Sequence, residues 1–395
     1  MNNSQNLIET PDITEIPNLE TLVLEDCINL RSLHSSIGVH KSLILLNLKG
    51  CVNLRTLPME FEMDSLEVLN LSGCSKLKKI PEFGENMQCL LKLYLDGTAI
   101  TKLPASIGHL TNLVLLNVRD CKSITCLPGT LFNLKLLKSV DFSRCSKLER
   151  LPENVGDAET VEVLDVSGTS IKEVPSSLGC LINLKVLSFS GCKGLSFNST
   201  SCYNLLPCCS RPKVSTTVGL SCLLSLCSLT YLNISYCNLK EVPSDIGSLF
   251  CLEEIDLSGN NFVYLPESII QLSNLEVIYL ENCMSLLTLP LFPSKINYIW
   301  ASNCTSLERL PDKLKPKDSF EPSLHLDNCL NLADNQGLID LLFAMLNALL
   351  QVSLSLSLSL SLSLLVCSKH QAFVCFRGSL ISIHWVDIIL LFLEA

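Results

Sequence analysis

The chain has 395 residues, of which 82 are leucine, 48% are hydrophobic, 6% are aromatic and 17% are charged. So large an apolar share excludes disorder over most of the chain, and a core drawn mainly from one side chain points to a repeated small unit. Lysine plus arginine number 29 against 39 acidic residues, a net charge of −10, which argues against non-specific nucleic-acid binding because that needs clustered basic groups.

The N-terminus, Met1-Asn2-Asn3-Ser4-Gln5-Asn6, has no basic stretch leading into an apolar one and so shows no secretory signal. A cytoplasmic or nuclear, reducing setting is expected, with most of the 21 cysteines free and buried. Ser4 to Pro11 resembles the back half of a repeat whose strand is missing, so an N-terminally truncated solenoid without a polar cap is expected.

From Leu19 onward the pattern L-x-x-L-x-L-x-x-C/N/T recurs. Its first positions are Leu19, Leu43, Leu66, Leu90, Leu113, Leu137, Val161, Leu184, Leu229, Leu252, Leu275 and Ile296, mostly 23 or 24 residues apart. Within each unit, as in Leu66-Glu67-Val68-Leu69-Asn70-Leu71, period-2 alternation makes a short strand whose fourth and sixth positions face inward. The fold class is therefore an α/β repeat: a leucine-rich repeat solenoid, a horseshoe with a parallel concave β-sheet and about 12 repeats. A Leu-Pro, Ile-Pro or Val-Pro pair, such as Leu103-Pro104, Ile80-Pro81 and Val174-Pro175, opens ten of the return arms, where proline's fixed φ suits an extended path without a full helix. The ninth position is cysteine in nine units and Thr98, Thr169 or Asn260 in the other three, an inward ladder. Parallel rungs hold its Cβ atoms at ~4.8 Å, too far apart for a disulfide.

The step from Leu184 to Leu229 spans two periods, and residues 196–227 read as an irregular insert rich in serine and cysteine without zinc-ligand spacing. The solenoid is assigned to 1–312 and a post-repeat segment to 313–350, with an apolar helical run from Gly337 to Leu350. Residues 351–395 are expected to be unstructured. They open on a Ser-Leu tract from Ser353 to Leu364 of the kind that translated dinucleotide-repeat DNA would write. Half of that tract is serine, so a membrane span is set aside.

No phosphate loop, dinucleotide fingerprint, zinc-protease motif or nucleophile elbow occurs. The six histidines are scattered and most of them read as surface or turn residues, so no catalytic, cofactor-binding or metal-binding residues are assigned. The outward strand face remains. Lys92, Tyr94 and Arg119 place basic and aromatic groups on neighbouring rungs, Asp141 and Asp165 read as a solvated face or an acidic contact stripe, Asp256 holds the same strand position in a later rung, and Tyr279, Tyr298 and Trp300 place three aromatics on two rungs. Aromatic and arginine side chains anchor protein interfaces, so these nine are the candidate contacts to a protein partner.

Leu71-Ser72-Gly73-Cys74-Ser75-Lys76-Leu77-Lys78-Lys79-Ile80-Pro81, Leu95-Asp96-Gly97-Thr98-Ala99-Ile100 and Leu257-Ser258-Gly259-Asn260-Asn261-Phe262 resemble the repeats of plant intracellular immune receptors that carry a TIR and a nucleotide-binding module. The resemblance covers about residues 4–340, including Asn328-Cys329. It implies a non-enzymatic role in defence: recognising a pathogen effector or guarded host protein, and contacting the receptor's nucleotide-binding module to restrain it. Neither module is seen in this chain, so the family's NAD cleavage and nucleotide switching are not carried over, and no cofactor is expected. The alternatives are a constitutive intracellular scaffold binding a small GTPase or phosphatase, and a gene fragment.

Overall fold

The computed structural model describes residues 2–193, 195, 223, 225–311, 322–333, 371–376 and 379–384, the last two stretches by backbone alone. The chain forms two compact units, Met1–Leu229 and Thr230–Ala395. The helical run expected from Gly337 to Leu350, the Ser-Leu tract and nearly all of the insert lie outside the described residues.

Each unit is a ladder of three-residue strands. The first holds β1 (Thr21–Val23), β2 (Leu45–Asn47), β3 (Val68–Asn70), β4 (Lys92–Tyr94), β5 (Leu115–Asn117), β6 (Ser139–Asp141), β7 (Val163–Asp165) and β8 (Val186–Ser188). Every strand pairs in parallel with the next, like position on like: Leu69 opposite Leu93, Leu93 opposite Leu116. The second unit holds β9 (Tyr231–Asn233), β10 (Glu254–Asp256), β11 (Val277–Tyr279), β12 (Tyr298–Trp300) and β13 (Ser323–His325), again parallel and in register from Leu232 to Leu324.

Two boundaries differ from the sequence reading. Strand β13 is a further rung beyond residue 312, paired with β12 through Ile299 and Leu324. The stretch expected to be unstructured contains an antiparallel pair, β14 (Gln371–Phe376) and β15 (Ser379–His384), with β15 parallel to β13.

Repeat spacing explains the core. In the third rung Leu66, Leu69, Leu71 and Cys74 are all fully buried, because the first, fourth, sixth and ninth positions point into the stack while intervening residues point out. A single rung could not bury that edge, so its stability comes from its neighbours. On the return side Pro104, Pro128, Pro175, Pro243 and Pro266 are each extended and each opens a five-residue 3-10 turn, such as Ala105–His109. Proline supplies the extended entry, and the short turn closes the arm without a full helix.

The eighth position of every rung is left-handed. Glycine occupies it at Gly50, Gly73, Gly97, Gly168, Gly191 and Gly259, and asparagine at Asn282, Asn303 and Asn328. Asp26, Asp120, Arg144 and Tyr236 adopt the same conformation against their steric preference. At this bend the chain leaves the sheet, yet its amide still bonds to the next rung, as from Gly73 to the Asp96 carbonyl at 2.7 Å.

The ninth-position cysteines form a regular ladder. Cys51, Cys74, Cys121, Cys145, Cys192, Cys283, Cys304 and Cys329 each donate Sγ–H to a carbonyl of the preceding rung, at 3.1 to 3.4 Å. That acceptor lies three residues before the donor's own counterpart: Cys74 reaches the Leu48 carbonyl, and Cys51 is the counterpart. Burial pushes the Cys74 and Cys145 thiols up to about 12, which keeps them protonated donors. Asn260 performs the role more fully, donating to the Ile234 and Leu257 carbonyls and accepting from the Cys237 and Leu239 amides.

Candidate recognition surface

The outward side chains of each strand, with the residue two beyond its end, make a face three columns wide. The middle column ends each strand, and besides Val23 and Ser188 it holds two kinds of residue.

Asparagines and aspartates in that column cap their own turns. Asn47, Asn70, Asn117, Asp141, Asp165, Asn233 and Asp256 each accept, through Oδ1, the amide two residues on, at 2.7 to 3.0 Å. The bond offers the backbone a partner where the strand stops, an Asx turn. Asp165 and Asn233 also accept the hydroxyls of Ser167 and Ser235. Asp141 and Asp165 in the first unit and Asp256 in the second therefore have a structural role, with one oxygen of each carboxylate committed locally. Two apparent glycosylation triplets, Asn70-Leu71-Ser72 and Asn233-Ile234-Ser235, are such turns.

The aromatic members do not cap. Tyr94 on β4 lies opposite Asn70 and Asn117, with Lys92 two residues before it on the same strand. Arg119 follows β5 and approaches Asp120 at 3.8 Å, where Arg144 arrives at the same distance. Thus Lys92, Tyr94 and Arg119 share two neighbouring rungs, with Arg119 turned toward a carboxylate.

The second aromatic group is organised more tightly. Tyr279 on β11 and Trp300 on β12 are stacked, ring centroids 6.3 Å apart and planes within 18°. Trp300 stacks in turn on His325 of β13, at 3.7 Å and 2°. Tyr298 stands beside them on β12, 47% exposed. Such ring pairs contribute ~0.5–1.5 kcal/mol beyond burial. His325 is only 7% exposed, and burial lowers its pKa from the ordinary 6.5 although Asp327 opposes the shift. The sequence reading set His325 among scattered surface or turn histidines, whereas it extends the aromatic column by one rung. Its signal was present downstream, where Leu324, Leu326 and Cys329 hold the fourth, sixth and ninth positions of the motif, but Glu321 breaks the first.

Carboxylates surround this group. Burial and the negative Glu254 raise the Tyr279 hydroxyl's pKa. Burial raises Glu281 as well, aided by its like-charged neighbours Asp256 and Asp327. Among the described residues, no set of three or more metal-ligating side chains is arranged to hold an ion, and no helix is long and apolar enough to cross a membrane.

Comparison with known proteins agrees with this architecture. Residues 61–150 match the family model for RPS4B-like disease resistance protein leucine-rich repeats, and residues 196–324 match a leucine-rich repeat region model that reaches into β13. The chain is similar to TMV resistance protein N of Nicotiana glutinosa, with 36% identity over 74% of this chain and 24% of that protein. It is also similar to disease resistance-like protein DSC1 of Arabidopsis thaliana, with 40% identity over 80% of this chain and 24% of that protein. Among solved structures, an internalin from Listeria monocytogenes aligns at TM-score 0.46 and 17% identity, covering 81% of this chain and 85% of that one. The chain spans about a quarter of the length of these plant relatives. By repeat pattern and by sequence, it belongs to the leucine-rich-repeat region of TIR-type nucleotide-binding plant disease resistance proteins.

Proposed function

We propose that this chain is a non-enzymatic, cytoplasmic protein-recognition module of a plant immune receptor, and that the strand face of its second unit is a contact surface. The observation that carries the reading is the Tyr279–Trp300–His325 stack with Tyr298 beside it. Rigid aromatic side chains held on a sheet lose little conformational entropy on binding and supply large contact area, the property of interface anchors. The partners that fit are a pathogen effector or guarded host protein, and the nucleotide-binding module of the receptor.

The second group, Lys92, Tyr94 and Arg119, is the candidate contact on the first unit, where an aromatic ring is bracketed by two cations. Asp141, Asp165 and Asp256 join the contact set only through the carboxylate oxygen that their turns leave available. A GTPase- or phosphatase-binding scaffold is the less favoured reading, because the similar curated proteins are disease resistance proteins.

Co-precipitation tests the reading: the chain is mixed with the purified nucleotide-binding module of TMV resistance protein N. Capture of the module is expected, weakened when Lys92, Tyr94 and Arg119 are all replaced by serine or when Tyr279, Tyr298 and Trp300 are. Absence of capture by the unaltered chain would overturn the restraining contact.

A further inference from the structure

The strand face of the second unit has one sign of charge. Its three outward columns, from β9 through β13, carry Glu254, Asp256, Glu281 and Asp327 and no lysine or arginine. The same columns in the first unit include Lys49, Lys92 and Arg119. Carboxylates and aromatics are interleaved: Asp256 lies opposite Tyr279, and Glu254 opposite Val277, which in turn faces Tyr298. These acids are partly buried on a face where like charges already oppose one another, so an arriving cation relieves repulsion as well as forming pairs.

Ring geometry narrows the cation. Tyr279 and Trp300 are nearly parallel, yet their centroids stand 6.3 Å apart against 3.7 Å for Trp300 and His325. At 6.3 Å the two rings overlap only in part, and a planar guanidinium laid over the uncovered part of a ring face lies within the ~6 Å of its centroid at which cation–π attraction acts. Its N–H groups can then reach the flanking carboxylates in the forked geometry that an ammonium cannot reproduce.

We propose that this face binds an arginine-bearing segment of a protein partner, the guanidinium seated against Tyr279 and Trp300 and paired with Glu254 and Glu281. The inference rests on the recognition reading above and names the chemistry of the partner. The stack supplies shape, the carboxylates supply sign, and no lysine or arginine in these strand columns offsets their charge.

The test uses the full chain carrying Trp385→Phe, which leaves Trp300 as the sole tryptophan of the two in the sequence. Octapeptides of arginine, lysine or glutamate are titrated while Trp300 emission is followed. The arginine peptide is expected to change the emission and to bind several-fold tighter than the lysine peptide, and the glutamate peptide to give no change. Glu254→Gln with Glu281→Gln should weaken arginine binding roughly fivefold or more, whereas the equal charge change Glu149→Gln with Glu153→Gln on the return side should alter it less than about twofold. Tyr279→Ser is the further variant should the first pair lose its fold: it is expected to weaken arginine binding roughly fivefold or more, and unchanged binding would overturn the proposal. Equal losses for both glutamate pairs, or equal binding of lysine and arginine peptides, would overturn the proposal. Failure here with the nucleotide-binding module still captured through Tyr279, Tyr298 and Trp300 removes the cationic partner and leaves the recognition reading standing.

Discussion

Trp300 and His325, on successive strands of the second unit, lie face to face with ring centroids 3.7 Å apart and planes within 2°. The contact places a titratable imidazole inside an aromatic column, and burial holds its pKa below 6.5. Stability therefore has a direction in pH. Above 6.5 the ring is neutral whether folded or unfolded. As pH falls through 6.5 the unfolded chain takes the proton first, and stability declines until the folded pKa is passed. Urea unfolding between pH 5 and 8 is expected to show this decline, and His325→Gln to reduce it. An unchanged slope in the variant would assign the dependence to other groups.

The left-handed bend at the eighth position makes a graded prediction. Gly73 has φ of 73°, and a Cβ there meets only the Gly50 backbone at 3.6 Å, an ordinary contact. Gly73→Ala should therefore cost the conformational strain alone, about 1–2 kcal/mol. Gly73→Asn should cost less, since asparagine takes this bend in three other rungs. At Gly259 a Cβ runs into the ring of Tyr236, whose hydroxyl accepts a 3.1 Å hydrogen bond from Asn282 one rung beyond Gly259. Gly259→Ala should be the most destabilising of the three, as denaturant midpoints would show.

The ladder predicts both energetics and reactivity. Asn260→Ala strands two buried amides and the Ile234 carbonyl, a loss of about 3 kcal/mol or more, whereas Cys145→Ala removes one weak donor and should cost about 1–2 kcal/mol. With their thiols held near 12, Cys74 and Cys145 should resist alkylation at pH 8 in the folded protein. The exposed Cys89, Cys126, Cys180 and Cys251 should react first. Mass spectrometry of the labelled protein distinguishes the two sets, and early labelling of Cys74 would contradict the ladder.

Much of the fold was legible because one period writes strand, bend and ladder together. Leu66, Leu69, Leu71 and Cys74 need no tertiary information to be assigned inward. Strand β13 was not legible because Glu321 stands at the first position of its motif, 25 residues after Ile296, so the leucine phase breaks before Leu324 and Cys329 resume it. His325 was lost with that rung. The capping role of Asp141 and Asp165 was missed for a different reason. An outward polar residue on a strand reads as solvated, and the group it accepts from is the amide two residues on, which Lys49, Arg119 and Ser143 supply alike, so no side chain signals the turn.

The proposed recognition through the strand face of the second unit rests on Tyr279, Tyr298 and Trp300. The most direct measurement compares two triple variants for affinity toward the nucleotide-binding module of TMV resistance protein N. Tyr279, Tyr298 and Trp300 become serine in one. In the other the change is made at Phe250, Met284 and Leu291, which are 59%, 57% and 45% exposed and lie off the strands. A loss of roughly tenfold or more, about 1.4 kcal/mol, is expected for the first and little change for the second. Equal affinities, or a larger loss for the second variant, would contradict it.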